Sequence, residues 1–295
     1  MKNQLFTYFI LFCCVFAWGS NFIFGAILVN VFAPSVIAFI RLIFIVLFLW
    51  SITFRDVRNY RLSKKGFLIL VIAGLIGITL NQWSFYASLQ YSEPVKAALI
   101  LALSPIMTAI LSVVFFKERK KKVFWFGSLA ALLGVWLVIT NGSFVTIHFG
   151  KGELLITLTM LSFSIFLIFV QQLSKSMPPG VITFYSNIFG LIGLLPFVQW
   201  KYMEQALTVP LSYWLLLIVT AIIMHGLCTY LWNNSIQKVG ASNASLLMNL
   251  EPFIAMIVGL IVLGTPIDLF QLLGGIVIVC GVTISLRTKK LSSKN

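Results

Sequence analysis

Long uncharged apolar stretches without a polar face, such as "VFWFGSLAALLGVWLVI" at 123–139 and "LLITLTMLSFSIFLIFV" at 154–170, recur along the whole chain. Such segments have no water-facing side to offer, so the medium that suits them is the hydrocarbon of a bilayer. Hydrocarbon pairs with no backbone group, which leaves helices and closed barrels as the spanning structures. A barrel shows alternating segments of about ten residues, and the sequence has none. The expectation is an all-α integral membrane protein with ten transmembrane helices: 6–29, 34–52, 67–90, 95–116, 124–140, 153–172, 180–198, 212–235, 242–263 and 267–286. The first span is too long for a removed signal peptide and lacks a small-residue cleavage pattern, so it is expected to be retained.

Only 9% of the 295 residues are charged, and their positions carry more information than their number. The formal charge of +14 and the run "KERKKK" at 117–122 would suit nucleic acid, but the distribution argues for a membrane instead. With a cytoplasmic first residue, ten spans place 17 Lys and Arg inside and three (Lys96, Lys151, Lys201) outside, with Arg41 left within a span. That asymmetry puts both termini in the cytoplasm and supports an even span count. A role of the basic runs in docking to lipid headgroups or a protein stands as the lesser alternative. No nucleic-acid partner is expected.

The chain also repeats itself. Laying residues 86–134 over 233–281, a gapless shift of 147, sets "LILALSPIMTAI" (99–110) on "LLMNLEPFIAMI" (246–257) and Pro105 on Pro252. Ser88, Gln90, Ala97, Leu99, Leu103, Ile110, Gly127 and Gly134 fall on identical residues. The shift equals five spans, and five is odd, so the halves enter the membrane from opposite faces. The expected organisation is a first five-helix repeat at 1–140, an external linker at 141–152 and an inverted second repeat at 153–295. Inverted repeats are the architecture from which many secondary transporters obtain two alternating openings around one midplane site.

The segments "FAWGSNF" (16–22), "FIRLIF" (39–44), "FYASLQY" (85–91), "KAALILALSPIMTAILS" (96–112), "KE" (117–118) and "YLWNNSIQKVGASNASLLMNLEPFIAMIVG" (230–259) together resemble the EamA-like branch of the drug/metabolite transporter superfamily. The resemblance covers nearly the whole chain. It implies ten helices in two inverted repeats around a central cavity, and a multi-pass protein of the cell membrane, mostly bacterial, that exports amino acids, metabolites or drugs. It also implies a gating role for Glu118 at the cytoplasmic side. The chain departs from the pattern in the second half, where Thr265 aligns with Glu118, so the external latch is expected to be weaker or built differently, with Asp268 as a candidate.

Arg41 and Glu251 are the formally charged residues near the middle of a span. Facing lipid, each would cost about 2.5–3.5 kcal/mol, so both should face the bundle interior. They are candidates for a structural ion pair with each other. Alternatively Arg41 attracts a substrate carboxylate, or Glu251 carries a proton, which makes protons a candidate coupling ion. Pro105 and Pro252 each remove a backbone donor, which suits a hinge or a packing kink. The expected substrate-contacting set is Trp18, Asn21, Arg41, Gln82, Tyr86, Tyr185, His225, Tyr230 and Asn249, aromatics beside amides that suit a ligand with apolar and polar surface. Trp232, Asn233, Asn234 and Gln90 lie near expected helix ends, where interface belts and caps are common. His225, the only histidine within a span, is a hydrogen-bonded packing residue or a proton relay.

Cys13, Cys14, Cys228 and Cys280 lack metal-ligand spacing and read as packing residues. "GKGE" at 150–153 lacks the earlier glycine and following Ser or Thr of a phosphate loop. No cofactor, metal or ATP chemistry is expected. The leading function is a secondary transporter, exporting small amphiphilic metabolites such as amino acids by alternating access. The rivals are an uncoupled facilitator or channel, an integral membrane enzyme acting on lipid, and a non-transporting subunit. Oligomeric state is not legible.

Overall fold

In the computed structural model the described residues are 2–88, 91, 100–140, 142, 150–264 and 266–287. Among them are nine helices long and apolar enough to cross a membrane and one shorter apolar helix. In chain order they are α1 (Lys2–Val29), α2 (Pro34–Asn59), α3 (Lys64–Ser88), α4 (the short one, Ser104–Phe116) and α5 (Lys122–Thr140). There follow α6 (Lys151–Leu173), α7 (Pro179–Phe197), α8 (Leu211–Val239), α9 (Ala241–Leu263) and α10 (Leu269–Arg287). Nine expected spans have a counterpart long enough to cross; of the span expected at 95–116 the helix Ser104–Phe116 is seen, and residues 95–99 lie outside the described residues. Gln90, Lys96, Thr265 and most of the 141–152 linker lie outside the described residues.

Local chemistry sets the helix ends. Pro34 and Pro179 sit in first turns, where the missing N–H costs nothing. Ser63 Oγ accepts from Gly66 N at 3.1 Å to start α3, and Glu153 Oε2 accepts from Gly150 N at 2.9 Å to start α6. Asp268 Oδ1 accepts from Phe270 N at 2.7 Å, so Asp268 caps α10. Lys117 (φ 53°) ends α4 and Gly264 (φ 69°) ends α9 in the left-handed region; the two are 147 apart. The second helix departs most from expectation. It runs past residue 52 to Asn59, because "RDVRN" continues as a helical extension beyond the apolar run.

Exchanging the halves, α1 for α6 through α5 for α10, maps the main packing contacts onto one another. α3 packs on α6 as α8 packs on α1, α4 on α6 as α9 on α1, and α3 on α7 as α8 on α2; α2 with α7 and α5 with α10 are self-matched. The α5–α10 seam is the tightest. Gly127 lies against Gly281 and Ser285, and Gly134 against Gly274 and Ile278, so backbones meet where a side chain would hold them apart.

The start of α1 and the end of α10 share one pole of the bundle with the α2–α3, α4–α5, α6–α7 and α8–α9 connections. There Gln171 Nε2 donates to Glu118 Oε1 at 2.8 Å and Gln171 Oε1 accepts from Ala241 N at 2.7 Å. Tyr60 Oη donates to Ser176 O at 2.9 Å nearby. The opposite pole carries the ends of α1, α5, α7 and α9.

Candidate functional site

Two irregularities, each present in both halves, open space at the bundle centre. Leu75–Leu80 in α3 and Thr220–Leu227 in α8 are π-helical turns, and a shift of 147 carries the first stretch to 222–227. Such turns are rare and frequently mark functional sites, because the wider turn re-aims the side chains that follow. The second irregularity concerns the prolines. Helix α4 begins at Ser104 with Pro105 in its first turn. In α9 the α-helical segment Ala241–Leu246 tightens into a 3-10 turn, Leu247–Leu250, before the helix restarts at Glu251 with Pro252 behind it. Ser104 and Glu251 therefore hold equivalent first positions of interrupted helices. A carboxyl group there faces the positive end of the helix dipole.

Between these elements lies a cavity of about 490 Å³, inside the range of roughly 300–1,000 Å³ common for small-molecule sites. Trp18, Asn21 and Phe22 line it from α1, and Gln82, Phe85 and Tyr86 from α3. Helices α4 and α6 contribute Ser104, Pro105, Thr159, Phe163 and Phe166; α8 contributes His225, Thr229, Trp232 and Asn233. Asn249, Glu251 and Pro252 come from α9, and the wall continues past Leu263 to Pro266 and Gln271 at the pole opposite the chain ends. Toward the chain-end pole the bundle closes over buried Ala241, Ser242, Ala244 and Ser245.

Of the expected contact residues, the structure thus brings Trp18, Asn21, Gln82, Tyr86, His225 and Asn249 to one wall, together with Glu251 and both prolines. Gln82 Nε2 and His225 Nε2 lie 3.4 Å apart, linking the two halves across the cavity. The rings of Trp18 and Trp232 are 4.7 Å apart at 50°. Tyr185 and Tyr230 are not on the wall; Tyr185 packs on Phe189 in α7, with centroids 6.1 Å apart. Glu118 belongs to the chain-end pole, where it also pairs with Lys120 at 2.7 Å.

The expected Arg41–Glu251 pair is not formed. Arg41 is 2% exposed and lies behind the cavity wall. Its Nη1 donates to Thr220 Oγ1 at 2.6 Å, and its Nη2 donates to Asn21 Oδ1 at 3.3 Å and to Thr220 O at 3.4 Å. The loosened turn of α8 thus supplies the carbonyl and hydroxyl that hold the guanidinium, and one neighbour on the wall, Asn21, turns its amide oxygen toward it. Glu251 faces the cavity, with Oε1 buried and unpartnered.

The EamA-like transporter family's sequence model matches residues 5–140 and again 150–287. The chain belongs to the EamA-like transporter family. A Bacillus subtilis (strain 168) protein named uncharacterized transporter YyaM is 30% identical over 285 residues, covering 94% of this chain and 93% of its own length. Uncharacterized transporter YetK of the same organism is 22% identical over 295 residues, covering 98% and 89%. One solved crystal structure superposes with a TM-score of 0.79 at 14% identity, covering 97% of this chain and 98% of its own, which is a likeness of fold. As a member of the EamA-like family the chain is a multi-pass protein of the cell membrane.

The sequence reading misplaced Trp232 and Asn233 at a helix end. Helix α8 continues to Val239, so both sit two turns inside and are buried, at 1% exposure each. Asn233 Nδ2 donates to Thr183 Oγ1 of α7 at 2.9 Å. The available signal was the tight Gly240 turn, φ 80°, which lets α9 begin one residue after α8 ends.

Proposed function

We propose that this EamA-like protein is a secondary transporter that moves small amphiphilic metabolites, amino acids and related compounds among them, by alternating access. The observation that carries the reading is the central cavity lined by both halves, reaching one pole through Pro266 and Gln271 and covered toward the other by the start of α9. Ten crossings in two inverted repeats account for the exchange symmetry of the packing, for the π turns and interrupted helices at matching positions, and for the twofold family match. With the chain ends cytoplasmic by the charge asymmetry, the conformation is outward-open. The Glu118–Gln171–Ala241 chain then closes the inner side, tying the loop after α4 to the end of α6 and the start of α9. Closing the outer side and releasing this latch would turn the same cavity toward the cytoplasm. Export is the direction the family resemblance favours.

Counterflow in proteoliposomes tests the reading. Preloaded unlabelled substrate accelerates entry of labelled substrate through a carrier and leaves an open pore unchanged. Coupling is tested separately: in Glu251→Gln, uptake still accelerated by an imposed pH gradient removes Glu251 from any proton-coupling role.

A further inference from the structure

We propose that the cavity recognises an ammonium group, with Glu251 and Asn249 as its binding residues and the aromatic wall as the seat of an apolar body. The proposal rests on the transporter reading and names the ligand class of that same cavity. Glu251 is the acidic group among the described wall residues, and no lysine or arginine is among them. Arg41 is withheld, engaged by Thr220 and Asn21. Two further acceptors belong to the same cavity lining: Asn249 is 2% exposed and Asn233 1%, and the Oδ1 of each is buried without a partner. A buried acceptor without a donor is costly, and a carboxylate without a cation more so. An ammonium, with several N–H donors and one positive charge, answers both deficits, given the small side-chain shifts that expose these oxygens.

The rest of the wall suits what such a ligand carries. Trp18, with Phe22, Phe85 and Phe163, turns an aromatic surface to the cavity, buried Trp232 packing against Trp18, and aromatic faces attract cations as well as covering apolar area. Asn21 adds a second polar group to the wall. Its oxygen is turned to Arg41, which can only donate, so its amide nitrogen is directed away and offers donors to an acceptor on the ligand. An amine with an apolar body and a hydrogen-bond acceptor meets Glu251, the aromatic rings and the Asn21 amide; a simple organic anion meets the carboxyl of Glu251.

The test is binding to purified protein in detergent, read by tryptophan fluorescence from the Trp18–Trp232 pair. The probes are phenethylamine, its neutral isostere phenylethanol, the anion phenylpropionate and the zwitterion phenylalanine. The amine should bind about tenfold or more tighter than the alcohol, and the anion weakest. The preference should vanish in Glu251→Gln, be retained in Glu251→Asp, and weaken in Asn249→Ala, with folding of each variant checked by its thermal unfolding. Equal binding of amine and alcohol, tighter binding of the anion, or a preference that survives Glu251→Gln in folded protein would overturn the assignment. Selective amine binding without counterflow would leave the ligand class standing and remove transport; counterflow of uncharged or anionic solutes without amine selectivity would do the reverse.

Discussion

Replacing Gly134 by alanine should damage this protein, although the same change in most helices would help it. Alanine is favoured over glycine in a helix interior by roughly 1 kcal/mol. At position 134, however, a Cβ would lie 2.6 Å from the carbonyl oxygen of Gly274 and 2.7 Å from Ile278 N. Both are backbone atoms, and ordinary contact begins near 3.4 Å, so α5 and α10 would have to part locally by about 0.8 Å. Overpacking of this kind costs about 1–3 kcal/mol. In lipid, close packing is the main force holding helices together, which leaves little to compensate. Gly25 is the control: it lies within α1, and a Cβ there meets nothing within 4 Å. The two variants share the propensity gain, so the difference between them isolates the seam. Reversible unfolding in mixed micelles, followed by tryptophan fluorescence, should place Gly134→Ala about 1–3 kcal/mol below Gly25→Ala. Equal stability of the two would refute the seam as described.

Thr220→Val removes the 2.6 Å partner of the buried Arg41 guanidinium and should cost about 1–3 kcal/mol in the same unfolding assay. Gln171→Leu breaks both bonds of the chain-end latch; Ser242→Cys, placed in a background without the native cysteines, should then react with a maleimide several-fold faster than it does behind the intact latch. Trp232→Ala empties a fully buried site and should lower stability by about 3–5 kcal/mol, with loss of the fluorescence change that ligands produce.

The helices were legible in the sequence because hydrocarbon imposes a one-dimensional rule: a run is apolar for about twenty residues or it does not cross. The prolines and late glycines were legible for a related reason, since the 147-residue shift carries them from one half to the other. Side-chain direction around each rod was harder to read. A helix apolar on every side gives no stripe from which to orient it, so Arg41 and Glu251, both rightly turned inward, could not be assigned to different neighbours. The π turns alter that direction further without any compositional mark: nothing in "LIGITL" or "TAIIMHGL" distinguishes a widened turn from an ordinary one. They decide where His225 points and which carbonyl reaches Arg41. Trp232 and Asn233 were misread because an amide-rich "WNNS" resembles a helix end, whereas here the Asn233 amide pairs across the interior with Thr183.

On the proposed transporter reading, the cavity built by the two halves opens to the side of the membrane opposite the start of α1 and the end of α10. Single cysteines at Lys120, Arg287 and Asp268, in a background without the four native cysteines, test it most directly with a membrane-impermeant maleimide on intact cells. Position 268 should be labelled at once, and 120 and 287 only after permeabilisation. Labelling of 120 and 287 from opposite sides, or of 268 from the same side as both, would contradict it.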